Sequence, residues 1–348
     1  MTVPAVRTAP RALRTGLLAL VEERLDGLLA EEHRRWSRVD TRGAVPVDDV
    51  AALVRAGGKR LRPSFCLTGY LAAGGDPGAG TVVDCAAALE LVHVGALIHD
   101  DVLDAADTRR GAPAVHARRA ADHAARGWHG EARRYGEGVA ILAGDLADIL
   151  ADRLTADLPP HCRPLWNELL TEIVIGQHLD VAVAAEAVVD PDLSRWIAVC
   201  KSGRYSIHRP LALGAALAGR PDLAPVFEGY GEALGEAFQL RDDMIDAFGD
   251  GAVAGKPVGL DLEQHKMTLL LALAVRADDR VRALVECPVW DVPALRDRLD
   301  EIGIGHEMEE RIGTLVARAL EALEDSGLPA PWQEELTAMA YEVAYRGR

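Results

Sequence analysis

The sequence predicts an all-α protein, a single-domain helical bundle, on three observations. Apolar residues recur at helical spacing, as in Leu13, Leu17, Leu20, Val21, Leu25, Leu28 and Leu29. No stretch alternates apolar and polar residues as a half-buried strand does. No Gly/Ser-rich or Pro-rich linker and no repeat of solenoid period divides the 348 residues. With 49% hydrophobic and 26% charged residues, the chain can bury a large core.

The elements follow in order. Residues 1–10 read as a flexible tail, and the helical domain as 11–348. Arg11–Trp36 is an amphipathic helix and Asp48–Arg55 a shorter one. Gly57-Gly58-Lys59-Arg60-Leu61-Arg62-Pro63 breaks the pattern and opens a helix to about Ala73. Gly74–Gly78 is a turn. Thr81–Leu103 is apolar on nearly every side, the mark of a central buried helix. Ala105–Gly138 is rich in Arg, His, Gly and Ala, and 117–138 reads as a mobile surface excursion. Val139–Leu154 and Pro164–Ala185 are helices, and Asp190-Pro191 starts another that runs into Lys201-Ser202-Gly203. Pro210–Ala218, Asp222–Phe248, a Gly-rich loop at Gly249–Gly259, Glu263–Arg276 and three or four helical segments to Tyr345 complete the chain.

Lys and Arg number 38 and Asp and Glu 54, a net charge of −16. That balance argues against nucleic acid or an anionic membrane as main partner. Five scattered cysteines, an odd number without metal-ligand spacing, read as reduced thiols in the cytoplasm. Neither a signal peptide nor a stable membrane insertion is expected.

Chemistry concentrates in two acidic clusters. Asp100, Asp101 and Asp104 end the central apolar helix, and Asp100 and Asp104, four apart, share a face. Oxygen-only ligands suit a hard cation such as Mg²⁺, which takes phosphate as a further ligand. Arg109 and Arg110 follow, and guanidinium groups bind phosphate oxygens. A solvated acidic helix end is the plainer alternative. It loses ground because the pattern recurs at Asp242, Asp243 and Asp246, with Lys201 before it and Lys256 and Lys266 after it. Two such helix ends facing each other across a bundle would form a diphosphate–Mg²⁺ cage. Lys59 and Arg62 beside Gly57-Gly58 are either a diphosphate clamp or a solvated turn. His93, near Glu90 and about two turns before the Asp cluster, is either a packed core histidine or a phosphate donor.

On these residues the chain resembles the trans-isoprenyl diphosphate synthases of the polyprenyl synthetase family. The matching motifs run from residue 57 to 268. They are Gly-Gly-Lys-x-x-Arg-Pro, the first Asp-rich motif with its Arg-Arg-Gly tail, and Gly144-Asp145. Gly176-Gln177-x-x-Asp180, Lys201-Ser202-Gly203, the second Asp-rich motif and the segment Gly255–Leu262 follow. The resemblance implies a bundle of the isoprenoid synthase type with a central active-site cavity. It implies Mg²⁺, three ions with diphosphate bound, on Asp100, Asp104 and Asp242, with Asp101, Asp243 and Asp246 supporting. Arg109, Lys201 and Lys256 would contact the allylic diphosphate. Lys59, Arg62, His93 and Arg110 would hold isopentenyl diphosphate. Gln177, Asp180, Ser202, Gln239 and Lys266 would line or brace the site. A homodimer is implied, with Thr81–Leu103 and Val139–Leu154 as candidate interface helices. Two departures stand out: Ser202 where Thr is common, and His265 where Gly is usual before the lysine.

The implied reaction joins isopentenyl diphosphate to an allylic diphosphate. The expected product is geranylgeranyl diphosphate, because Gly95, Ala96 and Val92 upstream of the first motif include no aromatic side chain to floor a product tunnel. The small residues would equally let helices pack closely. A farnesyl or longer-chain synthase, a class I terpene cyclase and a non-catalytic partner subunit are the alternatives. The complete second motif and the Lys59–Arg62 pair count against the cyclase, and the six retained aspartates against the non-catalytic subunit.

Overall fold

The structure, a computed structural model, describes residues 9–249 and 259–346. It is all-α apart from one two-residue β-ribbon. The helices are α1 Pro10–Ser37, α2 Val45–Arg55, α3 Leu61–Ala72, α4 Gly80–Leu103, α5 Val115–Arg126 and α6 Ala132–Leu154. Then come α7 Arg163–Glu186, α8 Pro191–Ala198, a π-helix Val199–His208, α9 Arg209–Leu217 and α10 Ala224–Phe248. The short α11 Leu260–Glu263 precedes α12 Leu269–Ala277, α13 Asp279–Val285, α14 Val292–Glu301, α15 Ile304–Glu324 and α16 Ala330–Ala344. Strands β1 Thr108–Arg109 and β2 Ala112–Pro113 pair antiparallel between α4 and α5.

Where the sequence reads as one domain, the backbone gathers into two compact units. One comprises Ala12–Leu67 and Asp76–Pro159, the other Thr68–Gly75 and the described residues from Pro160 on. The crossing at 67/68 falls inside α3, so no linker composition marks it.

In the first unit α4 packs along α6, and α5 and α2 pack on α6. α4 is long and apolar enough to cross a membrane, yet 72% of its most apolar window is buried in the structure, and it is the core helix of this unit. Its Ala86, Ala87, Ala88, Leu89 and Leu91 are fully enclosed. In the second unit α10 packs on α15 and on the π-helix, with α7 against the π-helix as well. Local signals account for several helix starts. Asp190 accepts from the N–H groups of Asp192 and Leu193 ahead of α8, Thr268 from Leu271 ahead of α12, and Asp278 from Arg280 and Val281 ahead of α13. Pro191 then occupies the first turn of α8, where a missing N–H costs nothing.

The Arg- and His-rich segment differs from its expectation. It is not a loose excursion but a helical hairpin, α5 and the start of α6, joined at Gly127 with φ +60°. Arg118 and Arg119 are fastened to Asp49 of α2 at 2.5 and 2.6 Å, and that carboxylate is wholly buried. His123, Trp128 and Tyr135 form an aromatic cluster across the joint. Of the expected tail, residues 1–8 lie outside the described residues and Pro10 already begins α1.

Candidate active site

The first acidic cluster closes α4. Asp104 is the C-cap, its N–H donating to the Asp100 carbonyl at 2.8 Å, and Ala105 turns the chain with φ +48°. The ribbon then reverses through a two-residue loop, Arg110-Gly111, with φ +52° and +74°, as a primed turn requires. This turn sends the two arginines different ways. Arg109 returns to the cluster, donating from Nε to Asp101 at 2.7 Å and lying 3.5 Å from Asp100. Asp101 is 2% exposed, and burial pushes its carboxyl up against the pull of Arg109. Asp101 is thus held by protein, while Asp100 and Asp104 remain half-buried on one face.

Arg110 reaches the other way, to the carbonyls of Leu53 (3.0 Å) and Gly57. A Cβ on Gly58 would lie 3.0 Å from its guanidinium, and Gly57 and Gly58 both have positive φ, which explains the glycine pair. Arg60 anchors the same loop, bound to Glu22 at 2.6 Å, to Glu90 at 2.5 Å and to the Val54 carbonyl. Glu90 is therefore a buried structural partner. The His93 imidazole is driven neutral, first by its removal from water and then by Arg62, Arg110, Arg109 and Arg60. The positive charge of these arginines, none of them on α4, is felt at His93 on the helix that carries Asp100. Lys59 is exposed.

Of the proposed tunnel positions, Val92 is buried and Ala96 half-buried. Gly95 faces α6: a Cβ there would meet Asp148 Oδ1 and the Gly144 carbonyl at 3.1 Å and Ala147 at 3.4 Å. Its smallness serves close helix packing, and Gly144 in turn leaves room for the His99 ring.

In the second unit the π-helix carries Lys201 and Ser202, and such wide turns are frequent at functional sites. It can approach α10 because Gly203 meets Gly235 there. Lys201 Nζ lies 2.7 Å from Asp180. Ser202 donates to Gln239 Oε1 at 2.5 Å, and Gln239 Nε2 donates to Asp243 at 2.8 Å. Asp243 also accepts from the Leu270 N–H at 3.3 Å. Its carboxyl is pushed up to about 8 by burial, with the Asp261 carboxylate adding to the effect. Asp246 is 2% exposed and accepts from the Asp261 N–H at 3.0 Å. Asp243 and Asp246, expected among the metal ligands, are engaged by protein donors, and Asp242 is the most open of the three. A cavity of about 190 Å³ is lined by Asp180, Lys201, Ser202, Gln239, Asp242 and Lys266, among others. Gln177 is half-buried on α7, outside the lining. Lys256 lies outside the described residues.

Two residues escaped the sequence reading. Asp261 lines the cavity, 3.8 Å from Lys266 Nζ, and its place in the Gly255–Leu262 motif was the available signal. Arg346, which pairs with Asp242, had none. The donors fit Mg²⁺. They are carboxylate oxygens, and among the described residues no three His, Cys, Asp or Glu form a self-sufficient metal cluster. Mg²⁺ is commonly held by one or two carboxylates plus substrate phosphates.

Against known proteins, the family model described as polyprenyl synthetase matches residues 48–289. The short chain isoprenyl diphosphate synthase of Methanothermobacter thermautotrophicus is 33% identical over 306 residues, 86% of this chain and 82% of that protein. The nonaprenyl diphosphate synthase of Mycobacterium tuberculosis is 30% identical over 345 residues, covering 97% and 94%. A crystal structure of geranylgeranyl pyrophosphate synthase from Corynebacterium glutamicum, complexed with isoprenyl diphosphate and magnesium, superposes with a TM-score of 0.86. It is 35% identical and covers 95% of this chain and 98% of that one.

Proposed function

The chain belongs to the polyprenyl synthetase family of prenyltransferases, and on that premise we propose that it condenses isopentenyl diphosphate with an allylic diphosphate to give geranylgeranyl diphosphate. The observation that carries the reading is the helix α4 itself, which bears His93, held neutral by burial and by the charge of Arg62, Arg110, Arg109 and Arg60, and ends in Asp100 and Asp104.

Lys59, Arg62, His93 and Arg110 hold the diphosphate of isopentenyl diphosphate. His93, neutral beside four guanidinium groups, gains a proton-accepting partner when that anion arrives. Asp100 and Asp104 would hold Mg²⁺ for the allylic diphosphate, with Arg109 beside them. In the second unit Asp242 takes a further ion, for three in all, and Lys201 and Lys256 add positive charge, while Gln239 and Ser202 brace Asp243. Bound Mg²⁺ supplies Lewis-acid stabilisation of the charge that builds on the departing diphosphate. The isopentenyl double bond forms the new C–C bond at the allylic carbon as the C–O bond to diphosphate breaks. A proton then leaves the adjacent carbon, with the released diphosphate as its acceptor. No protein nucleophile takes part, so rate comes from positioning and fixed charge.

The twenty-carbon product rests on Ala96, a small half-buried side chain one turn before Asp100. A homodimer is supported by Ile141, Leu142 and Ile149, exposed apolar residues along α6. The test is incubation with Mg²⁺, isopentenyl diphosphate and dimethylallyl, geranyl or farnesyl diphosphate, with products sized by chromatography. A twenty-carbon main product supports the reading. A different main length overturns the product, and no elongation from any primer overturns the function.

A further inference from the structure

Asp242 already has a cation. The guanidinium of Arg346 pairs with its Oδ1 and sits over the Phe238 ring, 3.8 Å from the centroid. The Arg346 side chain is 15% exposed, and its Nε is buried with no hydrogen-bond partner among the described residues. Phe238 and Asp242 are four apart on α10, so ring and carboxylate share a face. The neighbouring Arg241 fixes the approach. It grips Glu309 with both amino groups at 2.7 Å and donates Nε to the Ala344 carbonyl at 2.8 Å. That bond secures the end of α16 two residues before Arg346. One turn of α10 therefore offers Arg346 an aromatic face, a carboxylate and an anchored backbone.

We propose that Arg346 is the resident counter-cation of Asp242, which a divalent ion must displace, so that this carboxylate takes metal strongly only together with diphosphate. The inference rests on the reading of Asp242 as a metal ligand. Two cations on one carboxylate repel each other at a few ångströms. Diphosphate removes that conflict twice over. Its negative charge offsets the repulsion, and its oxygens give the released guanidinium a matching partner. Arg346 is thus a positioning residue that couples metal binding to diphosphate binding.

The test uses the full chain with Mn²⁺ as a spectroscopic probe, titrated by electron paramagnetic resonance with and without inorganic pyrophosphate. Without pyrophosphate, Arg346→Ala is expected to bind Mn²⁺ roughly three- to ten-fold tighter than the parent chain. Arg346→Lys should restore the weaker binding. Saturating pyrophosphate should close the gap, and an Asp242→Asn background should abolish it. Arg346→Gln, which keeps a stem over Phe238, replaces the alanine variant if thermal melting shows that the latter unfolds. Unchanged or weaker Mn²⁺ binding by Arg346→Ala overturns the proposal, as does a gap that survives in Asp242→Asn. If Asp242→Asn leaves Mn²⁺ binding intact with pyrophosphate present, the metal-ligand reading fails and the proposal falls with it.

Discussion

His265 stacks on Trp290, with ring centroids 4.6 Å apart and planes within 20°, while its backbone holds a φ of +57°. A left-handed conformation explains why the resembling family favours Gly before this lysine. Here the ring contact offsets the backbone cost. His265→Gly should therefore change stability little, because about 1 kcal/mol of relieved strain balances a similar loss of stacking. His265→Val, β-branched in the same backbone, should cost about 2 kcal/mol. Trp290→Ala should cost about 3 kcal/mol, since the indole is nearly buried and donates to the Val285 carbonyl at 2.9 Å. Urea unfolding of the three variants checks the order.

The α4–α6 contact separates two neighbouring substitutions. Gly95→Phe drives a ring into the Gly144 carbonyl and Asp148, and should lose about 3 kcal/mol or more of stability. Ala96→Phe, at a half-buried site one turn before Asp100, should fold and shorten the main product. Thermal melting and product chromatography on both variants distinguish the two. A shortened product from Gly95→Phe with an unchanged melt would contradict this assignment.

His208, 3% exposed at the end of the π-helix, has its imidazole pushed down to about 3 by burial, reinforced by Arg209 and Arg204. The unfolded chain protonates this group near its ordinary value while the folded chain resists. Its contribution is thus complete above about pH 6.5 and is lost as pH falls toward 3, about 2 kcal/mol of it by pH 5. His208→Gln removes that contribution. Its stability should fall less steeply than the parent's between pH 7.5 and 5, as followed by denaturant midpoints.

Asp49 answers for two arginines of α5. Asp49→Ala leaves both without their carboxylate and should cost about 2 kcal/mol. Hydrogen exchange should report the loss first in Val115–Arg126, ahead of α4.

The same contact shows what could be read in advance. Helices such as α1, α4 and α10 were legible because their apolar spacing is local, and the paired Asp motifs because i, i+4 carboxylates are visible in the letters. α5 was not. Its arginines look solvated until Asp49, about seventy residues earlier, is placed beneath them. The division of labour among the six aspartates was equally hidden. Arg109, Gln239 and the Asp261 N–H decide it, and the bonds to Arg109 and Asp261 join residues that only the fold brings together. Gly95 carried both meanings in the sequence, and only the position of α6 shows how closely the two helices approach there.

The most direct measurement is the rate of isopentenyl diphosphate incorporation into an allylic primer by the parent chain and by Asp100→Ala, each with Mg²⁺ and with excess EDTA. The parent is predicted to elongate only with Mg²⁺, and Asp100→Ala to lose at least about a hundred-fold in kcat/KM. Elongation that persists in EDTA, or that Asp100→Ala leaves undiminished, would contradict metal-assisted prenyl transfer at this cluster.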